Sequence, residues 1–281
     1  MKLINPGSSR RGWHRLQNAL KCPRLAAWSA RDREAQSEAC PSTPLIKGSL
    51  LHMGLAHYYA QKREKEDGKS ESEYYDPVDA ITKLVESQPA AHQGQWSEWV
   101  PMVTGTLLNY MLHWQSERWT PWEVEKELET TIRDEGRRKD FLYTQRVDAI
   151  FLHPQNGKTW FVDHKSTFKI MDKTTKKYSL SGQFLGYNLL GVRMYGPHFG
   201  GVLLNLIGWG NKKSGPEFQR ITLPAAPFSQ DRFEKTLVYA ERILEDHEGQ
   251  EPGEWPGAHH ETACWTTYGP CKYFDRCHYG E

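Results

Sequence analysis

A hairpin signal in the middle of the chain constrains the fold more than any other feature. The segments FLYTQRVDAIFLHP (141–154) and KTWFVDHKS (158–166) are rich in β-branched and aromatic residues. They flank HPQNGK, which carries the residue types of a tight turn. Two strands joined by so short a connection pair antiparallel. The sequence therefore predicts a two-stranded ribbon over 141–166.

This ribbon brings charged residues together on one face. If its loop spans Pro154–Gly157, Asp148 lies opposite Asp163, and if the turn is Asn156–Gly157, Asp148 lies opposite Lys165. Asp163 and Lys165 are two residues apart and share a face, so Asp148 joins them in either register. Directly opposed side chains have Cβ atoms about 5 Å apart. The sequence predicts a compact group of two acids and one amine.

Two carboxylates at this distance repel each other, which raises their pKa values unless a divalent cation lies between them. Hard oxygen ligands and an open coordination sphere suit Mg²⁺ or Mn²⁺. Such an ion lowers the pKa of a bound water and stabilises negative charge on a phosphoryl oxygen. Lys165 would orient the attacking water or neutralise the developing charge. The alternative interpretation is an Asp–Lys surface pair on a hairpin.

The remaining patterns predict a mixed α/β protein of one domain spanning 1–281. A mainly helical part (1–120) precedes a catalytic core (121–210), and a C-terminal helix and cysteine tail follow (211–281). The predicted helices are 9–33, 47–63, 78–87, 95–118, 180–195 and 229–248, and the predicted strands outside the hairpin are 122–132 and 200–209.

Four further residues are candidates for the same site. Gln183 and Tyr187 are four apart in a predicted helix and share one of its faces. His52 lies in the helical segment KGSLLHMGLAHYY, and Glu125 lies in the strand before the hairpin. Each has a plain alternative: a hydrogen-bonded core histidine, ordinary amphipathic helix positions, and a solvated strand face.

The order of these motifs resembles a known family. GSLLH, RVDAIF, VDHKS and QFLGY are similar to the motifs of the PD-(D/E)XK nuclease superfamily, in its RecB-like branch with CRISPR-associated iron–sulfur exonucleases. The resemblance runs from about residue 45 to residue 190 and implies a restriction-endonuclease-like core, with a mixed central sheet flanked by helices. It also implies a function for each matching residue.

The resemblance implies that His52, Asp148 and Asp163 bind the catalytic metal, with the backbone carbonyl of His164 completing the set. Lys165 would be the catalytic lysine. Gln183 and Tyr187 would act on the scissile phosphate or position that lysine. Glu125 would be the counterpart of a further acidic residue of the family, although Glu127 could equally be aligned there.

Three cysteines of the tail CWTTYGPCKYFDRC make an odd set for disulfides and are one too few for a four-coordinate metal. The iron–sulfur members of the resembled branch supply one cysteine before the nuclease core and three after it. LKCPRLAAW provides Cys22, followed by Pro and Arg as in those proteins. The resemblance implies a [4Fe–4S] cluster with a structural role, held by Cys22, Cys264, Cys271 and Cys277. The tail spacing C-x6-C-x5-C is wider than the C-x2-C-x5-C of many relatives, four thiolates also suit zinc, and Cys40 is interpreted as incidental.

Charge and composition indicate the partner. The net charge is only +1, but basic residues concentrate in 8–24, 136–139 and 165–177. Such patches suit a phosphate backbone met on one face, although solvated surface is the plain alternative. Some of the eleven tryptophans are expected to stack on unpaired bases. No apolar run is long enough to cross a bilayer and no secretory signal opens the chain, so we expect a cytoplasmic protein with reduced thiols and no membrane contact.

The functional expectation is a Mg²⁺- or Mn²⁺-dependent DNA exonuclease, with endonuclease action also open, acting on single strands or duplex ends. Such an enzyme would serve recombination, repair or phage DNA processing. The chain has no G-x-x-x-x-G-K-[ST] motif, so unwinding would require a helicase or recombination partner. The alternative is a non-catalytic iron–sulfur DNA-binding subunit of a recombination or CRISPR-integration complex.

Overall fold

The computed structural model describes residues 1–4, 6–7, 9–35, 40–171, 178–210, 214–225, 227–266 and 269–280. These form two compact units. The first unit comprises Met1–Arg10, Cys40–Thr130 and Thr144–Pro227, and the second comprises Arg11–Ala39, Thr131–Tyr143 and Phe228–Glu281.

Helices and strands follow one another in the order that the patterns predict, with some changes of boundary. The helices are α1 (Trp13–Lys21), α2 (Pro23–Ala35), α3 (Thr43–Glu66), α4 (Pro77–Glu86), α5 (Ala90–Ser97), α6 (Val100–His113), α7 (Gly182–Tyr195), α8 (Pro227–Glu245), α9 (Glu261–Cys264) and α10 (Phe274–Tyr279). The strands are β1 (Thr120–Asp134), β2 (Lys139–Leu152), β3 (Thr159–Thr167), β4 (Phe199–Gly208), β5 (Glu217–Pro224), β6 (Trp265–Thr266) and β7 (Gly269–Pro270).

A mixed five-stranded sheet has the order β1-β2-β3-β4-β5. The pairs β2–β3 and β4–β5 are antiparallel, whereas β3 and β4 are parallel and connected through α7. A parallel pair needs such a crossover because its strands run in the same direction. The mixed sheet with its helices confirms the predicted α/β class.

The hairpin between β2 and β3 adopts the longer of the two loops considered. Ala149 pairs with Val162 and Leu152 with Thr159, and this register, continued by one residue, sets Asp148 opposite Asp163. Gly157 has φ of 64°, a left-handed conformation that glycine adopts without steric cost.

Several elements differ from the sequence predictions. The predicted helix 9–33 is two helices that separate at Cys22, because Pro23 has no N–H to continue α1 and begins α2. The predicted helix 95–118 is likewise divided between α5 and α6, near Pro101. Strand β5 was not predicted, because its apolar residues Phe218, Ile221 and Leu223 do not alternate regularly along the sequence.

The core of the first unit fixes α3 against the sheet. Leu51, Leu55 and Tyr59 of α3 pack in one buried cluster with Val162 and Leu203 of the sheet. Close packing of α3 on α6 depends on Gly54, where an added Cβ would lie 2.5 Å from the Leu107 side chain. The helix that carries His52 is therefore held in a defined position over β2 and β3.

The second unit packs α1, α2 and α8 with the C-terminal tail. The ring centroids of Trp13 and Phe233 lie 5.4 Å apart, and those of Trp28 and Tyr273 lie 5.2 Å apart. Among the helices of the described ranges, none has both the length and the apolar character that crossing a bilayer requires.

Candidate active site

Asp148 occupies the centre of a polar group in the first unit. Its Oδ1 lies 3.5 Å from Nδ1 of His52, and its Oδ2 accepts a hydrogen bond of 2.6 Å from the backbone N–H of His164. His52 comes from α3, so a helix and two strands meet at this carboxylate. The structure thus places His52 beside Asp148, across a long separation in the sequence.

Glu125 joins His52 and Asp148, and one ligand atom from each of the three residues lies within 4.8 Å of the others. The backbone at Glu125 has φ of 49°, which is uncommon for a residue with a side chain. This turn breaks the strand alternation that would put Glu125 and Glu127 on one side. Glu127 instead lies 3.5 Å from the guanidinium of Arg146. Of the two glutamates that the sequence left open, Glu125 is therefore the one that reaches the group.

Lys165 and Asp163 form a close ion pair. The Lys165 Nζ lies 2.7 Å from Oδ2 of Asp163, whose side chain is 1% exposed. Asp163 does not belong to the three-residue group with atoms within 4.8 Å. Both of its oxygens are instead engaged by neighbouring side chains.

Gln183 and Tyr187 hold the second oxygen of Asp163. Gln183 Nε2 donates to Oδ1 of Asp163 at 2.9 Å and to the Tyr187 hydroxyl at 2.8 Å. The Tyr187 hydroxyl lies 3.1 Å from the same Oδ1 and 2.9 Å from the backbone carbonyl of Arg146. The predicted shared helix face therefore contacts the acid of the D-x-K motif, and it fixes that carboxylate for Lys165.

The group carries more negative charge than its surroundings stabilise. Burial raises the pKa of Glu125, and repulsion by Asp148 contributes, giving about 8. Burial alone would lower the pKa of His52, but the Asp148 carboxylate raises it to about 9. Burial alone would raise the pKa of Asp148, yet His52 holds it well below its usual range.

The pKa values of Asp163, His164 and Lys165 are shifted by different causes. Burial raises the pKa of Asp163 despite the opposing effect of Lys165. Burial alone would lower the pKa of Lys165, but Asp163 and then Asp148 raise it, so the amine stays charged. Burial lowers the pKa of His164 to about 3, so this imidazole is neutral.

A divalent cation fits the donor set formed by His52, Glu125 and Asp148. Two carboxylates and one imidazole are ligands that Mg²⁺ or Mn²⁺ accepts, and their mutual repulsion is relieved by the ion. The carboxylate of Asp163 and the backbone carbonyl of His164 lie in the adjoining strand.

Behind the site lies a buried polar network that the sequence analysis missed. Asn205 Nδ2 lies 2.7 Å from Nδ1 of His164 and donates to the Tyr110 hydroxyl at 2.7 Å. The Tyr59 hydroxyl lies 2.6 Å from that of Tyr110, and the Tyr59 ring stacks on His164 with an 8° interplanar angle. The signal was a single asparagine within the apolar strand GGVLLNLIGW, since a buried polar residue requires partners.

Arg220 anchors the far end of this network. Its guanidinium donates to the Tyr59 hydroxyl at 2.8 Å, forms an ion pair with Glu117 and lies 3.9 Å from the centre of a Trp114 ring. Lys62 contributes a second cation, 3.0 Å from the same glutamate. The network gives His164, and with it the segment between Asp163 and Lys165, a rigid support.

In the second unit, the four predicted cysteine ligands line one cavity: Cys22, Cys264, Cys271 and Cys277. The backbone N–H of Cys271 donates to the carbonyl of Cys264 at 2.7 Å, and Arg24 Nη1 lies 3.3 Å from the Cys277 sulfur. No three sulfurs of the described cysteines lie within 4.8 Å of one another.

The predicted basic loop 165–177 falls partly outside the described residues, at 172–177.

Comparisons with known proteins agree with the motif order. The model of the PD-(D/E)XK nuclease superfamily matches residues 13–278. No curated protein matches the chain.

Two solved structures are similar at low identity. One, from Eubacterium rectale and described as a "Putative exonuclease", is 10% identical with a TM-score of 0.46, covering 96% of this chain and 88% of that one. A second, described as SSO0001, is 17% identical with a TM-score of 0.29, covering 70% and 88%. Both TM-scores lie below 0.5, so neither likeness bears on activity.

Proposed function

The chain belongs to the PD-(D/E)XK nuclease superfamily, whose nucleases use divalent metal ions, and we propose that it is a deoxyribonuclease that removes nucleotides from single strands or duplex ends. One observation carries the proposal. The Asp163–Lys165 pair, held by Gln183 and Tyr187, lies on the hairpin whose Asp148 meets His52 and Glu125. A chain that had lost catalysis would have no need to keep this costly set of buried charges.

The proposed functions of these residues follow from their contacts. His52, Glu125 and Asp148 would hold the ion, with Asp163 and the His164 carbonyl as further ligands. When bound, the ion would stabilise charge on a phosphoryl oxygen and lower the pKa of water. Lys165 keeps its proton and presents a cation toward the attacking water or the scissile phosphate. Gln183 and Tyr187 fix the carboxylate against which that amine is oriented.

We further propose that Cys22, Cys264, Cys271 and Cys277 hold a [4Fe–4S] cluster. All four line one cavity, which supports a shared ligand. Four thiolates on one zinc ion would lie roughly 3.8 Å apart, from the Zn–S bond length and tetrahedral geometry. In a [4Fe–4S] cluster each thiolate instead binds a different iron. Arg24 beside Cys277 would offset part of the thiolate charge.

The test is nucleotide release from end-labelled DNA with Mg²⁺ or Mn²⁺, prepared under anaerobic conditions. Substrates are single-stranded, duplex, end-blocked and circular DNA. We expect Asp163→Asn and Lys165→Met each to reduce the rate by about 100- to 1000-fold, while Lys158→Met, an exposed lysine at the hairpin loop, retains it. DNA binding without cleavage under every metal condition would indicate a non-catalytic subunit instead. Cleavage of circular DNA at the same rate would exclude an obligate exonuclease.

A further inference from the structure

Lys47 of α3 lies between two tryptophan rings in the first unit. Its Nζ is 4.8 Å from the ring centroid of Trp99 and 4.9 Å from that of Trp209. Both indoles pack against the buried core, so they are fixed in place. Cation–π contacts on two sides therefore hold the ammonium in one position.

Lys47 has no acidic partner in the part of the chain that the structure describes. Among the described residues, no carboxylate lies within ion-pair distance of Lys47, and the sole cause of its lowered pKa is partial burial. Lys165 contrasts with it, because that ammonium forms an ion pair with Asp163. A half-buried ammonium without a counter-charge loses hydration that no carboxylate replaces. Such a group is suited to an anion that arrives from solution.

Lys47 lies at the same end of the sheet as the active site. It precedes His52 by five residues on α3, a rise of about 7.5 Å. Trp209 follows Leu206, the register partner of Lys165, by three residues, which is about 10 Å along the strand direction. Its backbone N–H donates to the carbonyl of Thr167 at 2.9 Å, so the Trp209 backbone stays beside the end of β3.

Position 48 of α3 leaves space between Lys47 and His52. Gly48 lies one turn before His52, and an added Cβ there would meet no atom within 4 Å. Phe168, which follows the Lys165 strand, is 77% exposed. A phosphodiester chain leaving the metal group could follow this surface without meeting a side chain at position 48.

We propose that Lys47, oriented by Trp99 and Trp209, binds a backbone phosphate of the nucleic-acid strand beside the phosphate that is cut. This inference rests on the proposed nuclease function, since it places the contact on the strand that enters the same site. A point charge on a phosphate carries no sequence information, so it contributes affinity and register and leaves base specificity unaffected.

The experiment measures binding without cleavage. The full chain is titrated against fluorescein-labelled single-stranded oligonucleotides of unrelated sequence in EDTA, over a series of salt concentrations. Lys47→Met keeps the aliphatic stem between the indoles and removes the charge. We expect the slope of log K against log salt to fall in magnitude by about 0.7, the contribution of one phosphate contact on a single strand. At 0.1 M salt this corresponds to about fivefold weaker binding for every sequence.

Two variants serve as controls. Lys47→Arg preserves the charge and should retain the slope, and Lys158→Met removes an exposed lysine at the distant hairpin loop and should also retain it. Thermal melting confirms that each variant is folded. If Lys47→Met melts early, Lys47→Gln is measured in its place.

An unchanged salt slope in a folded, charge-removed variant would overturn the inference. A reduced slope in a protein that cleaves no DNA would support the phosphate contact and refute the proposed catalysis. Cleavage by the parent together with an unchanged slope would support the proposed catalysis and refute the phosphate contact. A parent that binds no oligonucleotide at all would refute both.

Discussion

The backbone N–H of His164 donates a hydrogen bond of 2.6 Å to Oδ2 of Asp148 across the hairpin. This contact joins Asp148 to the backbone of His164, the residue between Asp163 and Lys165. It leaves the second oxygen of Asp148 directed toward His52, at 3.5 Å. The carboxylate of Asp148 thereby links the metal-ligand group to the Asp163–Lys165 pair. We expect a substitution in one of the two to alter the geometry of the other.

Removing the charge of Glu125 should weaken metal binding. Glu125 shares the three-residue group with His52 and Asp148, so Glu125→Gln removes one hard oxygen charge from the donor set. We expect Mn²⁺ affinity to fall by about 100-fold, measured by titration calorimetry or by the loss of the free Mn²⁺ electron-spin signal. Glu127→Gln is the matched control, because its carboxylate faces Arg146. Equal losses in the two variants would mean that Glu125 is not a ligand.

Removing the hydroxyl of Tyr187 should loosen Asp163. That hydroxyl lies within hydrogen-bond distance of the Asp163 carboxylate and of the Arg146 carbonyl, both in a buried setting. We expect Tyr187→Phe to lower the free energy of unfolding by about 1–2 kcal/mol and to slow cleavage as well. Urea denaturation provides the first measurement. Tyr239→Phe, at a position 62% exposed, should be neutral in both assays, and a neutral Tyr187→Phe would contradict the positioning function.

Replacing one cavity cysteine should abolish the proposed cluster. The anaerobically purified parent should be brown, with broad absorption near roughly 400 nm and bound iron and sulfide. Cys22→Ser should lose both iron and colour, whereas Cys40→Ser, which does not line the cavity, should keep them. A colourless parent that contains zinc would refute the cluster while leaving the shared cysteine site intact.

The second unit should contain a pH-dependent ion pair between Asp134 and Arg242. Nε of Arg242 donates to Oδ2 of Asp134 at 2.6 Å, and this hydrogen bond holds the pKa of the carboxyl well below its usual range. A depressed pKa contributes stability above the unfolded-state value of about 3.9, and that contribution is lost as the pH falls toward the folded-state pKa. Asp134→Asn should therefore destabilise the protein at neutral pH and matter less near pH 3, as urea denaturation at the two pH values would show. If the parent and Asp134→Asn differ in stability by the same amount at both pH values, this linkage is contradicted.

Local patterns in the sequence were enough to predict which side chains of the site share a face. Side chains alternate along a strand, so Asp148, Asp163 and Lys165 share a face whichever loop the hairpin adopts. A helix repeats every 3.6 residues, so Gln183 and Tyr187 point together, and both do contact Asp163. The motif order itself predicted the superfamily, which the match over residues 13–278 confirms.

Other features depended on contacts that no local pattern encodes. The choice of Glu125 over Glu127 rests on a left-handed backbone at one residue, which simple alternation cannot anticipate. Arg220 reaches Tyr59 across 161 positions of the chain, from a strand whose apolar residues do not alternate regularly. Lys47 meets no carboxylate among the described residues, and two indoles from separate elements enclose its ammonium. Sequence periodicity determined which side chains share a face, whereas burial, backbone strain and the meeting of distant elements are properties of the packed chain, and only the tertiary structure decided them.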